Sequence, residues 1–100
     1  MKNNKYAHLS EPESTLDFHN LGILSQGEVE KLAEECILKC QKSGMKKILF
    51  ITGKGMHSKN SEAKIKPWLE SYLKQHTVVK NVSEARRDRG GNGAFEVTLI

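Results

Sequence analysis

The sequence predicts an α/β domain whose elements run β-α-β-α-β-β. Three observations predict it. Apolar and polar residues alternate over Thr15–His19, and again in the last segment at Phe95, Val97 and Leu99, the period-2 signature of strands with one buried face. Val29, Leu32, Ala33, Cys36, Ile37 and Cys40 instead recur at the three- and four-residue spacing of an amphipathic helix. Between these patterns, Ile48-Leu-Phe-Ile51 is an unbroken apolar run, as expected of a parallel central strand buried on both faces.

Residues 1–14 are polar, include His8, Glu11, Pro12 and Glu13, and show no hydrophobic period, so they read as a flexible N-terminal tail before a domain over 15–100. In the first strand, Thr15–His19, Leu16 and Phe18 share the inward face, and Asp17 and His19 the outward one. Asn20 to Leu24 is a loop. Ser25-Gln-Gly-Glu28 has the form of a capping box, in which Ser25 serves the amide of residue 28 and Glu28 reaches back. The helix it opens stops at Gly44. Residues 46–52 form the second strand. A second helix covers 62–75, with Ile65, Trp68, Leu69, Tyr72 and Leu73 on one face. Pro67 lacks an N–H and crowds the preceding turn, so either the regular helix starts near Lys66 or its first turn is distorted. Val78–Glu84 is the third strand, Arg86–Gly93 a loop or hairpin turn, and Ala94–Ile100 the fourth strand. That order implies a small sheet with right-handed crossovers and helices packed on it.

A chain of 100 residues has room for one core. Its 37% hydrophobic and 28% charged content suits a globular domain with a polar surface. No stretch approaches the roughly 20 apolar residues of a membrane span, and Met1-Lys-Asn-Asn-Lys-Tyr6 lacks a signal-peptide core. Two cysteines are too few for a disulfide scaffold, so a cytoplasmic location is expected. The net charge of +4 is unevenly placed: residues 1–53 hold seven basic and seven acidic residues, and residues 54–89 hold nine and four. An excess of +5 in that second stretch suits a polyanion such as nucleic acid, with an ordinary solvated surface as the alternative.

That excess begins at Thr52-Gly-Lys-Gly-Met-His-Ser58. Gly53 and Gly55 let a ligand approach the backbone, successive N–H groups can ring an anion, and Lys54 adds a positive charge. The G-x-x-x-x-G-K-[ST] spacing of a nucleotide-binding P-loop is absent. Two apart on a strand, Asp17 and His19 leave the same face. Asp17 is then a general base, an orienting partner for His19 or a ligand for a divalent cation (Mg²⁺ or Mn²⁺), and His19 an acid or base. Alternatively, Asp17 caps a local backbone N–H and His19 merely ends the strand. If the first two strands are parallel neighbours, His57 and Lys54 join His19 around one phosphate; otherwise Ser58 or Ser61 simply caps the second helix. Arg86, Arg87 and Arg89 match phosphate bidentately or form a solvated turn, and Lys59, Lys64 and Lys66 supply a diffuse rim. Trp68, Tyr72, Cys36 and Cys40 belong to the core, and no zinc site is expected.

Three segments carry a resemblance. Leu16-Asp-Phe-His19 resembles the Leu-Asp-Leu-His-Gly opening of the small MutS-related (Smr) domain. Thr52-Gly-Lys-Gly-Met-His-Ser58 is similar to its Thr/His-Gly-x-Gly-x-His-Ser loop, and Gly90-Gly-Asn-Gly-Ala-Phe-Glu-Val-Thr-Leu99 to its closing Gly-Gly-x-Gly-Ala-x-x-Val-x-Leu strand. They stand in family order and cover residues 15–100, so the chain resembles a stand-alone Smr protein. The resemblance implies a two-layer α/β sandwich, with a mixed four-stranded sheet and two helices, similar to the C-terminal domain of bacterial translation initiation factor three. It implies nucleic-acid binding and, as in several members, nicking of structured or branched DNA or RNA. Asp17, His19 and His57 are then the catalytic candidates, and Gly53, Lys54, Gly55, Ser58, Arg86, Arg87, Arg89 and Gly91 the nucleic-acid contacts. Asn20 departs from the pattern by replacing a glycine. A monomer is expected. A non-catalytic nucleic-acid or ribosome-binding module is the alternative function, and a protein-interaction domain the third.

Overall fold

The computed structural model of the protein describes residues 12–53, 60–86 and 93–100. Strand β1 (Ser14–Asp17) is followed by a 3₁₀ turn over Phe18–Asn20, helix α1 (Gln26–Ser43) and strand β2 (Lys47–Ile51). Helix α2 (Asn60–Gln75) and strands β3 (Val79–Glu84) and β4 (Ala94–Leu99) complete the domain. The four strands form one sheet in the order β1-β2-β4-β3. β1 and β2 run parallel, whereas β2–β4 and β4–β3 are antiparallel, so the sheet is mixed.

Both ends of α1 form as the sequence dictates. Ser25 Oγ accepts from the Glu28 amide at 3.1 Å, and the Ser25 amide donates to Glu28 Oε1 at 2.8 Å. At the other end Gly44 takes the left-handed conformation (φ 76°). Its N–H donates to the Gln41 carbonyl, and that of Met45 to the Cys40 carbonyl, which satisfies two orphan acceptors of the last turn. Helix α2 begins at Asn60, two residues before the expected start, and Pro67 lies inside it. The proline costs one helical hydrogen bond, to the carbonyl of residue 63. Burial of Ile65, Leu69 and Leu73 offsets that loss.

One core lies between the helices and one sheet face. Val29, Ala33, Ile37 and Cys40 of α1 and Ile65, Leu69 and Leu73 of α2 meet Ile48, Phe50, Phe95, Val97 and Leu99. Phe18 joins them from the 3₁₀ turn, its ring stacked 6.2 Å from that of Phe50. On the opposite sheet face Leu49, Ala85 and Ala94 are buried together, so β2 is covered on both sides. Cys36, Trp68 and Tyr72, expected in the core, are half-buried at its margin. Burial nonetheless pushes the Cys36 thiol up to about 11.

A polar staple joins the helices. The Tyr72 hydroxyl donates to Glu34 Oε1 at 2.7 Å, and His76 Nε2 lies 2.6 Å from the same oxygen. Because the Val78 N–H donates to His76 Nδ1 at 3.2 Å, the ring proton sits on Nε2 and points at Glu34. The two hydrogen bonds hold the Glu34 carboxyl below its ordinary value, and burial, followed by the bond to Glu34, pushes the Tyr72 phenol up to about 12.

Candidate nucleic-acid interface

Parallel pairing of β1 and β2 has a direct consequence for the site. The register sets Asp17 opposite Ile51 and Ile51 opposite Ala94, and the Ala85 amide donates to the Ala94 carbonyl at 2.9 Å. One row therefore crosses all four strands at a single end of the sheet. With about 4.8 Å between neighbouring strands, it spans roughly 14 Å. Asp17, Gly53 and Arg86 lie at or just beyond this row. The segments 54–59 and 87–92 leave from it at Gly53 and Arg86. Lys54, Gly55, His57, Ser58, Arg87, Arg89 and Gly91 belong to those segments and lie outside the described residues.

The first strand is shorter than its alternation suggests. β1 ends at Asp17, and the next three residues form the 3₁₀ turn. Asp17 Oδ1 accepts from the His19 amide at 2.8 Å, and the Leu21 amide donates to the Phe18 carbonyl at 3.2 Å. Asp17 and His19 therefore do not leave one strand face. Asp17 instead holds His19 through its backbone, the local-capping alternative that the sequence allowed. Asn20, in the place of a family glycine, closes the turn; among the described residues no non-glycine has positive φ, and Gly22 supplies the left-handed residue here (φ 80°).

His19 and Gly53 meet. The ring Cδ2 of His19 would lie 3.2 Å from a Cβ built on Gly53, so glycine leaves room for the imidazole against the loop backbone. Gly53 also has φ 83°, which side-chain-bearing residues rarely adopt. Its N–H is already committed: it donates to the Gly93 carbonyl at 2.9 Å. Gly53 thus contributes a turn and a close approach, and any ring of amides around an anion begins after it.

Two further residues hold the row together. Thr52 is fully buried; its amide donates to the Gly93 carbonyl at 2.8 Å, and its hydroxyl lies 3.2 Å from that oxygen and 3.1 Å from the Gly53 carbonyl. The end of β2 is thereby stitched to the start of β4. Glu96, half-buried on β4, accepts the Arg86 amide at 3.0 Å and fixes where the arginine segment departs. Neither role was visible locally. The available signal was a threonine beside a glycine at a strand end, and the one acid in the closing strand.

Among the described residues, no three His, Cys, Asp or Glu side chains are grouped to hold a metal ion. No helix among them is long and apolar enough to cross a membrane.

Comparison with known proteins agrees with this architecture. The structure is similar to YdaL, a stand-alone small MutS-related protein from Escherichia coli, with TM-score 0.72 and 24% identity over 85% of this chain. The match spans 63% of the YdaL chain. It is also similar to the Smr domain of Thermus thermophilus MutS2, with TM-score 0.72 and 17% identity over 87% of this chain and 98% of that one. The solution structure of the B3BP Smr domain matches at TM-score 0.58 and 29% identity, over 96% of this chain and 87% of that one. No curated protein matches the chain. The Smr domain model matches residues 16–100, from the strand that carries Asp17 to the end of β4. With all three motif segments inside that span, the chain belongs to the Smr domain family.

Proposed function

We propose that this Smr protein grips the backbone of a structured DNA or RNA at the Asp17–Gly53–Arg86 end of the sheet and nicks it there. The observation that carries the reading is the single row across the four strands. It gathers Asp17, His19 and Gly53, and the two segments rich in cations start from it. Lys54, Arg86, Arg87 and Arg89 neutralise phosphates, the amides after Gly53 and the serine of Ser58 line the strand, and Gly91 leaves room for it.

Phosphodiester hydrolysis needs a base to take a proton from water, charge stabilisation on the phosphorane oxygens and a proton for the leaving oxygen. His19 and His57 serve as the acid–base pair, Lys54 stabilises the charge, and Asp17 keeps His19 against Gly53 by accepting the hydrogen bond from the His19 N–H. A divalent cation at the remaining Asp17 oxygen would add charge stabilisation.

A nicking assay on supercoiled plasmid and structured RNA, with and without Mg²⁺ or Mn²⁺, tests the roles: the double Asp17→Ala, His19→Ala variant should lose cleavage, and retained activity refutes them. A second reading, a non-catalytic nucleic-acid or ribosome-binding module, is favoured by Asp17 spending one oxygen on a backbone amide. It predicts binding without cleavage under every metal condition. In both readings Lys54→Ala and Arg89→Ala weaken binding and each lower the salt slope by about one phosphate contact.

A further inference from the structure

Lys66, in the second turn of α2, carries a cation whose place is fixed. Its Nζ lies 3.2 Å from Glu84 Oε2 on β3 and 5.8 Å from the centroid of the Phe95 ring on β4. The strand register sets Glu84 opposite Phe95, so acid, cation and ring form one cluster that ties α2 to the sheet. The two charged partners are held unequally. The Lys66 side chain is 28% exposed and that of Glu84 60%. Attraction to the ring face helps to keep the ammonium where it is, so the carboxylate is the member that can leave. An ion pair whose acid stands largely in water contributes little to stability, and separating it costs little.

Position gives this pair a second meaning. Glu84 precedes Ala85, which lies in the row at the end of the sheet, and stands two residues before the exposed Arg86. At a strand's rise per residue, the backbones of Glu84 and Arg86 are about 7 Å apart. Two described cations therefore stand where β3 leaves the sheet, within the reach of neighbouring phosphates on one strand. A carboxylate and a phosphate offer an ammonium the same thing, a charged oxygen acceptor. Lys66 thus already holds one oxyanion at the place where the gripped backbone brings another.

We propose that Lys66 is a phosphate contact masked by Glu84: the carboxylate occupies the ammonium in the free protein, and a backbone phosphate of the bound nucleic acid takes its place. This rests on the proposed nucleic-acid binding and adds an internal competitor that limits its strength. A tethered carboxylate acts at high effective concentration, so an isolated phosphate displaces it poorly and a strand already held at Arg86 displaces it well. The test measures binding of labelled DNA and RNA hairpins to wild type, Glu84→Gln, Lys66→Met, the double variant and Glu70→Gln. Glu70 pairs with Lys74 at 2.9 Å farther along α2, so its variant removes the same charge without unmasking Lys66. Melting curves check that each variant folds.

Glu84→Gln should bind about threefold more tightly than wild type, and Glu70→Gln should bind as wild type does. Lys66→Met should bind more weakly, with a salt slope lower by about one phosphate contact, and adding Glu84→Gln to it should restore nothing. In wild type, a hairpin should also move the Glu84 carboxyl carbon resonance as Lys66 leaves it. Equal tightening by Glu84→Gln and Glu70→Gln, or by Glu84→Gln with and without Lys66→Met, would overturn the masking in favour of a general charge effect. No tightening by Glu84→Gln would also overturn it, leaving a pair that only ties α2 to β3 and a binding function that still stands. Should Lys66→Met fail to fold, Glu84→Gln against Glu70→Gln and the Glu84 resonance decide the matter. Wild-type protein that binds neither hairpin would overturn both the masking and the binding function.

Discussion

Replacing Gly53 with alanine probes the join between the two halves of the site. The substitution forces an L-residue to φ 83°, a conformation that costs about 1–2 kcal/mol. It also sets a methyl 3.2 Å from His19 Cδ2, a few tenths of an ångström inside ordinary contact. The neighbour is the edge of a side-chain ring and not backbone, so a shift of a few tenths of an ångström relieves the contact, which adds little to the energy. The expected loss is thus about 1–2 kcal/mol, or a fall in Tm of roughly 4–16 °C for a domain of this size. Gly44→Ala is the matched control: φ is 76°, and no atom lies within 4 Å of the built Cβ. Both variants should melt at similar temperatures, measured by circular dichroism. Only Gly53→Ala should shift the His19 ring resonances in an NMR spectrum and weaken nucleic-acid binding. A Gly53→Ala protein as stable as wild type would refute the left-handed turn at Gly53, and unmoved His19 resonances would refute the inferred contact.

Two further outcomes follow from the hydrogen bonds. Thr52→Val keeps the shape of a fully buried side chain and removes only its hydroxyl contacts to Gly93 and Gly53; denaturant melts should show a loss of about 1 kcal/mol. Glu34 has a folded pKa below its ordinary value of 4.5, so it favours the folded state above that value, and its contribution disappears as pH falls through the folded pKa. Glu34→Ala should therefore lower Tm at neutral pH, flatten its acid-side decline and leave Tm nearly unchanged at the most acidic end. A variant whose Tm falls with acid as steeply as wild type would remove Glu34 from the staple.

Helix α1 was almost wholly legible from sequence, because a capping box and a terminal glycine act on neighbours within a few residues. Strand interiors were legible for a similar reason, since alternation reports which face is buried. The end of β1 was not. Phe18 keeps the alternation going, yet it reaches the core from a 3₁₀ turn, and apolar periodicity cannot separate those two routes. Asp17, a residue type that readily caps turns, was the signal against continuing the strand. The parallel β1–β2 pairing and the antiparallel β2–β4 pairing join residues more than thirty apart, which local patterns do not encode. The same holds for the site. Gly53 was readable as a turn glycine, but the fate of its N–H depends on Gly93, forty residues away.

The brevity of β1 bears on how the two halves of the site are joined. This four-residue strand lies at the sheet edge and pairs with β2 alone. Edge strands with few bonds detach at a lower free-energy cost than the central ladder and core helices, which persist while they do. Asp17 and His19 therefore sit at the end of an edge strand, and Gly53 follows a central one. Under the proposed function, a nucleic acid that touches both sides should slow amide exchange in β1 more than in β4. The four β1–β2 register pairs, from Ser14↔Ile48 to Asp17↔Ile51, are then what joins the two halves.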